Sequence, residues 1–384
     1  MGKVSISETK NDPYGAFIRA TNDIGVRLID SGDRVLIKPN LVEPAGPDSG
    51  QITNPGVIEV VARYCLESGA AQVIIGEGPS YYQPQSCLRE CFTRTGVSDV
   101  ANRLGIQWVL FDEHDYRTFR GVSDCTPDEF RVTRFAFTCD KFINLPVLKT
   151  HYLTTVTLAM KNLKGCLKRE DKPLFHQKDL NRAIVELCKI VRPTINVIDC
   201  TPRTVVRQLG VDYAEGVKES GGDLLITSPD IVATDAVGCA LMGIDPLEVR
   251  TVALGDEAGL GESDLTQIDI IGEELKQLKF KVKLPKEQLR QSFPLLEIIG
   301  AEKACSGCLI PLLSSLSLLS ERSAKLKKPL AISLGKNPDI PEDKEFLLVG
   351  DCARIKHIYQ MNWVGGCPPD REELLNRLGQ CMAE

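Results

Sequence analysis

The sequence predicts an α/β protein, with mostly parallel sheets carrying helices on both faces and a smaller α/β domain at the C-terminus. Three observations predict it. Short β-branched runs such as Arg34–Lys38, Asn196–Asp199 and Leu224–Ser228 alternate with stretches of helical length, which is the pattern of successive βαβ units. The centres of these runs, Val35-Leu36-Ile37, Val197-Ile198 and Leu224-Leu225-Ile226, are continuously apolar instead of alternating with polar residues, as strands covered on both faces are. At 384 residues the chain also exceeds the size at which one hydrophobic core keeps growing. It divides into 1–274, which has room for two subdomains, a lysine-rich linker over 275–294 punctuated by Pro285, and a cysteine-bearing part over 295–384.

Val4–Ile6 reads as a first strand and Tyr14–Ile29 as a helix, closed by the turn Asp30-Ser31-Gly32-Asp33. The strand Arg34–Lys38 is stopped by Pro39-Asn40, which sets Lys38 and Asn40 at a strand end. Thr53-Asn54-Pro55 signals a helix start: Thr53 or Asn54 can cap and Pro55 suits the first turn of the helix Val57–Ser68. Gln72–Ile75 is a strand opening into Gly76-Glu77-Gly78-Pro79-Ser80. The two glycines allow either a tight structural turn or an oxyanion loop, and the last glycine of a dinucleotide fingerprint is missing. Tyr81 and Tyr82 line the same mouth or cover a loop. Leu88–Leu104 reads as helical, and Trp108–Asp112 and Phe130–Phe137 as strands. Val232–Met242 is an apolar helix carrying Asp235, an acid that needs a partner in such surroundings and is either a cap partner or a site residue.

The stretch Asn144–Cys166 packs the most candidate reactive groups into the fewest residues. A strand, Lys141–Leu148, should deliver Lys149, Thr150 and His151 as a polar turn, and a helix-compatible segment then leads to Lys161-Asn162-Leu163-Lys164 and a stop at Gly165. Open α/β sheets bind ligands at the C-terminal ends of their strands. Lys149 and His151 are therefore the catalytic candidates, with Lys38, Asn40, Thr150, Lys161, Asn162 and Lys164 binding an anionic substrate. The bland alternative is a set of solvated turn residues.

A hydrophobic fraction of 43%, 26% charged residues and a net charge of -6 give no electrostatic footprint for nucleic acid. No apolar run reaches the ~18 residues of a membrane span, and the N-terminus has no leader-like apolar region. A cytoplasmic location follows as an expectation. In a reducing compartment the 14 cysteines are mostly small buried hydrophobes. Four form an ordered set: Cys305 and Cys308 in CSGC, Cys352 after Gly-Asp, and Cys367 before Pro-Pro, each following a strand or opening a helix. One sheet edge would gather Cys305, Cys308, Cys352 and Cys367 as metal ligands. One close pair joined by two solitary cysteines suits a 4Fe-4S cluster better than the two knuckles of a structural zinc site, with unligated thiols as the remaining alternative.

This set, CxxC then GDC then GCPP before a helix, resembles the flavodoxin-like domain of nickel-iron hydrogenase small subunits and of their kin in respiratory complex I. The resemblance covers about the last ninety residues and implies one 4Fe-4S cluster in a smaller flavodoxin-like α/β domain, without the surroundings that dock a large catalytic subunit. VLIKPNLVEP, the TNP before a helix, INLPVLKTHYLTTVTLAMKNLKGC and SPDIVATDAVGCALMGIDP resemble domain-of-unknown-function family 362 over roughly residues 30–250. That resemblance implies a fold and an iron-sulfur cofactor more than a reaction. The dense CxxCxxCxxxCP run of an added ferredoxin module is absent from this chain.

Three functions are open to such a chain. In the first, a soluble reductase passes electrons from the cluster to an anionic substrate or second cofactor beside Lys149 and His151, with a redox partner protein and His151 as proton donor. A flavin is compatible with this reading, though no isoalloxazine signature is present. In the second, a lyase, isomerase or racemase acts on a carboxylate and the cluster is structural. In the third, the chain is an electron carrier or scaffold without catalysis of its own. Self-association is compatible with all three.

Overall fold

The computed structural model describes residues 2–47, 49–81, 85–122, 124–201, 204–210, 213–218, 222–301, 304, 306–355 and 362–383. Contacts divide the chain into two units, one comprising Met1–Phe175, Asp179–Arg207 and Glu215–Val282, the other His176–Lys178, Gln208–Ala214 and Lys283–Glu384. Tyr82 and Cys305 lie outside the described residues.

The first unit is built on an eight-stranded sheet, counted over the described residues, in the order Asp269–Gly272, Lys3–Glu8, Leu224–Ser228, Ile195–Cys200, Lys141–Leu145, Arg34–Pro39, Gln72–Glu77, Gln107–Leu110. Neighbours are parallel except around Leu224–Ser228, which runs against both Lys3–Glu8 and Ile195–Cys200. Ile195–Cys200 and Leu224–Ser228 are buried along their whole length, the reason their sequences do not alternate. Ile37, Ile143, Val197 and Leu225 form the centre of a core that packs against Phe17, Ile58 and Val61 of the helices Pro13–Ile24 and Pro55–Glu67. The second of these helices begins where the sequence signals it, Asn54 accepting from the Gly56 amide at 2.8 Å with Pro55 in the first turn. Every residue of the helix Ile231–Leu241 is buried, which explains its all-round apolar face.

Several expected elements are shorter or broken. The first helix stops at Ile24, not Ile29. Leu88–Leu104 is two helices, Glu90–Thr93 and Val97–Leu104, separated at Gly96. The expected strand Phe130–Phe137 pairs only over Glu129–Thr133, in a hairpin with Tyr116–Arg120, and then turns into the helix Phe135–Thr138. The segment 275–294 contains the helices Leu275–Leu278 and Pro285–Ser292.

The second unit is a separate, wholly parallel sheet in chain order, Leu296–Ile299, Leu330–Leu334, Glu345–Val349, Trp363–Val364. Among the described strands it lacks the order reversal at which a flavodoxin-type sheet binds its ligand. The helices Ser306–Glu321 and Arg371–Gln380 pack on each other, burying Leu312, Leu316, Leu374 and Leu378. Among the described residues no helix is long and apolar enough to cross a membrane, and no disulfide joins two cysteines.

Candidate active site

The stretch Asn144–Cys166 does not leave the sheet as a turn. The central strand ends at Leu145, where Pro146 has no amide to continue the ladder. Lys149–His151 then forms a short strand of its own, pairing antiparallel with Thr155–Thr157. The segment after His151, expected to be helical, is the return arm of this hairpin, and the run Thr154-Thr155-Val156-Thr157 was the β-branched signal for it. The helix Ala159–Asn162 and a 3-10 turn, Leu163–Cys166, follow. Asp235 starts that helix: its carboxylate accepts from the Ala159 amide at 2.6 Å and the Met160 amide at 3.1 Å. Burial pushes this acid up to about 7 against the pull of the two amides. Of the two readings of Asp235, cap partner is the one these bonds support.

Lys38, Lys149, Lys161, Lys164 and His151 do meet, joined by a fifth lysine, Lys172, which the sequence hides in the charged run Lys168–Lys172. Lys38 is fully buried and donates to Glu77 Oε2 at 2.8 Å and to the Pro39 carbonyl at 3.1 Å. Glu77 also accepts from the Gly78 amide at 2.8 Å. That amide is therefore committed within the protein, and the loop Gly76-Glu77-Gly78 is a structural approach, not an oxyanion cradle. What it approaches is Gly165: a Cβ there would lie 2.0 Å from Glu77 Oε1 and 2.6 Å from Lys38 Nζ. Only glycine lets the turn Leu163–Cys166 close onto the ion pair.

Lys149 is 1% exposed and donates to Asn40 Oδ1 at 3.0 Å and to the Gln51 carbonyl at 2.7 Å. Lys172 donates to the Gly78 and Pro79 carbonyls at 2.7 and 2.9 Å. Lys161 is half-buried and has no hydrogen-bond acceptor among the described residues. Asn40 and Asn162 are bonded to each other, Asn40 Nδ2 donating to Asn162 Oδ1 at 2.9 Å. Thr150 is buried opposite Val156. Cys166 is buried, its thiol pushed up to about 12 by burial, as a core residue's is.

Crowded cations out of water lose protons readily. Burial, and then the charge of Lys149, bring Lys161 down to about 7. Burial brings Lys149 down to about 8 despite the attraction of Glu43 and Glu77. Lys164 is lowered further by burial and by Lys161 and Lys172. Burial and three lysines hold His151 well below the ordinary histidine range. Its Nδ1 accepts from the Leu153 and Thr154 amides at 3.1 and 3.4 Å. A ring accepting at Nδ1 is neutral and carries its proton on Nε2. His151 can thus donate a hydrogen bond, whereas protonating it costs the hairpin turn both amide bonds.

Three cysteines of the second unit lie at one edge of its sheet, although among the described residues no three metal-ligating side chains are gathered as a metal site. Cys308 lies in the first turn of Ser306–Glu321, and its Sγ sits where a Cβ on Gly350 would be, 2.3 Å from that position. Gly350, at φ 90°, leads through Asp351 to Cys352. The loop before Cys367 is tied to the same place: the Gly366 amide donates to Asp351 Oδ1 at 2.7 Å and the Asp351 amide to the Gly366 carbonyl at 3.2 Å. Cys308, Cys352 and Cys367 therefore share the C-terminal edge of the sheet.

Comparisons with known proteins return matches by sequence and among solved structures. Residues 35–240, more than half of the chain, match the family described as Domain of unknown function (DUF362). The thylakoid-associated protein sll1697 of Synechocystis sp. is 29% identical over 283 residues, covering 71% of this chain and 79% of that one. Among solved structures, the lactate racemase apoprotein from Thermoanaerobacterium thermosaccharolyticum aligns with a TM-score of 0.40 and 17% identity, covering 62% of this chain and 56% of that one.

Proposed function

The chain belongs to the family described as Domain of unknown function (DUF362), and from its lysine site we propose an acid–base enzyme acting on a small carboxylate- or phosphate-bearing molecule. Lys161 takes a proton from carbon beside the anionic group, as a racemase, isomerase or lyase does. The observation that carries this reading is Lys161 itself, a half-buried amine without an acceptor among the described residues, brought to about 7 by burial and Lys149. Near neutrality such an amine is a competent base. Lys149, held charged by two carbonyl oxygens, and the Nε2–H of His151 supply stabilisation for the negative charge that develops on the substrate oxygens.

In heavy water, wild-type protein should exchange the α-hydrogen of one member of a panel of small carboxylic acids, read by proton NMR, and Lys161→Met should not. Absence of exchange across the panel would sink the reading. The pH profile of kcat/KM should be bell-shaped, rising as Lys161 loses its proton near about 7 and falling as Lys149 loses its own near about 8. Because an anion raises both values, phosphate binding should take up protons between pH 7 and 9 and weaken as pH rises. Calorimetry in buffers of different ionisation enthalpy reads this directly.

A second reading rests on the shared sheet edge of Cys308, Cys352 and Cys367. In this reading Cys308, Cys352 and Cys367, with Cys305 as the fourth, would be the ligands of a 4Fe-4S cluster, and the open position at Gly350 leaves room for the Cys308 sulfur. The likeness of CSGC, GDC and GCPP to the hydrogenase small-subunit domain supports the same assignment. Such a cluster supplies one-electron transfer, and with a redox partner the protein would be a cytoplasmic reductase. Anaerobically purified protein should carry about four irons and four acid-labile sulfides per chain, lost in Cys308→Ser or Cys367→Ser. Zinc, or no metal, would leave the acid–base reading alone.

A further inference from the structure

Lys149 has no carboxylate within ion-pairing distance among the described residues, and what stands in its place is a chain of amides. Lys149 Nζ donates to Asn40 Oδ1 at 3.0 Å, Asn40 Nδ2 to Asn162 Oδ1 at 2.9 Å and Asn162 Nδ2 to Asn144 Oδ1 at 2.8 Å. Asn144 Nδ2 continues to Asn196 Oδ1 at 2.9 Å, and Asn196 Nδ2 to the Ser228 carbonyl at 3.3 Å. Asn40 is 7% exposed, Asn162 3%, and Asn144 and Asn196 not at all. Asn144 lies in register with Lys38 on one side and Asn196 on the other, and Asn196 with Ser228, so the chain crosses neighbouring strands of the sheet.

Its direction is uniform. Each amide accepts on its oxygen from the member nearer Lys149 and donates from its nitrogen to the member farther away. The four dipoles are aligned with their negative ends toward the ammonium, and hydrogen-bonded groups in a low-dielectric interior polarise one another. Lys38 has the opposite arrangement: a carboxylate at 2.8 Å neutralises it. A carboxylate beside Lys149 would likewise cancel the field an incoming anion is to feel, whereas carbonyl oxygens stabilise the charge without cancelling it.

We propose that Asn40, Asn162, Asn144 and Asn196 are positioning residues that act together as an uncharged counter-ion, keeping Lys149 charged, fixed and available to an anionic ligand. This rests on the anion-binding reading above for its purpose, but not for its physics. The other titratable groups that face Lys149 are Glu43 and Glu77, which favour its proton, and Lys161 and His151, which feel its charge. All are left in place by the test.

The test uses the full chain labelled with [ε-13C]lysine, the Lys149 signal being assigned by its loss in Lys149→Arg, together with inorganic phosphate as the probe in calorimetric titrations. Asn144→Leu breaks the chain two links from the ammonium. It should lower the pH at which Lys149 loses its proton by about one unit and weaken phosphate binding about fivefold at pH 8, with little change at pH 6. Asn40→Asp, of the same shape, should raise that pH yet weaken phosphate at every pH, because the carboxylate takes the anion's place. A packing role alone leaves the Lys149 titration unmoved in Asn144→Leu, and that result overturns the proposal. Should wild type bind no phosphate while the Lys149 titration still follows the chain, the relay stands and the anion reading fails. Phosphate binding with an unmoved titration would keep the anion reading and overturn the relay.

Discussion

Replacing Glu77 by alanine should cost about 3–5 kcal/mol of stability, the loss expected when one member of a buried ion pair is removed. Lys38 and Glu77 have side chains only 0% and 4% exposed. Without Glu77 the Lys38 ammonium keeps only the Pro39 carbonyl, and the Gly78 amide loses its acceptor. The ammonium must then give up its proton or draw in water, and either course loosens the contact at Gly165 that brings the Leu163–Cys166 turn to the site. The double variant Lys38→Met with Glu77→Gln removes the stranded charge and keeps an amide oxygen for Gly78, so it should recover most of the loss. Urea unfolding of the three proteins measures both effects. A single-variant loss below about 1 kcal/mol would mean that the pair is solvated, contrary to its burial.

Lys161→Met should behave oppositely, gaining stability while losing function. The side chain has no acceptor to lose, and its charge is held among other cations, so an apolar residue of similar length relieves the site by about 1–3 kcal/mol. The sign with pH follows from Lys161 having a folded value near about 7, below the ordinary 10.5 of an unfolded lysine. Between those limits the unfolded chain holds a proton that the folded chain does not, so wild-type stability rises with pH. The advantage of the methionine variant is therefore greatest below pH 7 and shrinks toward pH 10. Exchange of the substrate's α-hydrogen should fall at least a hundredfold. A variant that is less stable than wild type at pH 6, or that exchanges normally, would remove Lys161 from the centre of the site.

The strands were legible because burial on both faces writes continuous apolar runs, as at Val35-Leu36-Ile37. The gathering of Lys38, Lys149, Lys161 and Lys164 was legible as well, since strand ends and glycine stops bring such residues to one edge. Three things were not. The hairpin Lys149–Thr157 was concealed by its polar tip, where Thr155 adopts φ 65°, a conformation that β-branched residues rarely take. Glu77 stood between two glycines that drew attention as a loop, yet its carboxylate is what the loop exists to place. Lys172 looked like one charge in a solvated run, and only the fold turns its ammonium onto the Gly78 and Pro79 carbonyls. The asparagine chain could not have been read at all, because Asn40 and Asn196 are far apart in sequence and meet only through Asn144 and Asn162.

The placement of the first strand bears on how the protein is made. Lys3–Glu8 leaves the ribosome well before its partners Leu224–Ser228 and Asp269–Gly272, which are synthesised more than two hundred residues later. The parallel block from Arg34–Pro39 to Lys141–Leu145 can assemble from nearby segments as it emerges. Meanwhile Val4 and Ile6, fully buried at the end, must wait with their apolar side chains uncovered. Such long-range closure slows folding and leaves the nascent chain open to mispairing, so the step that completes this sheet is one a cell has reason to supervise.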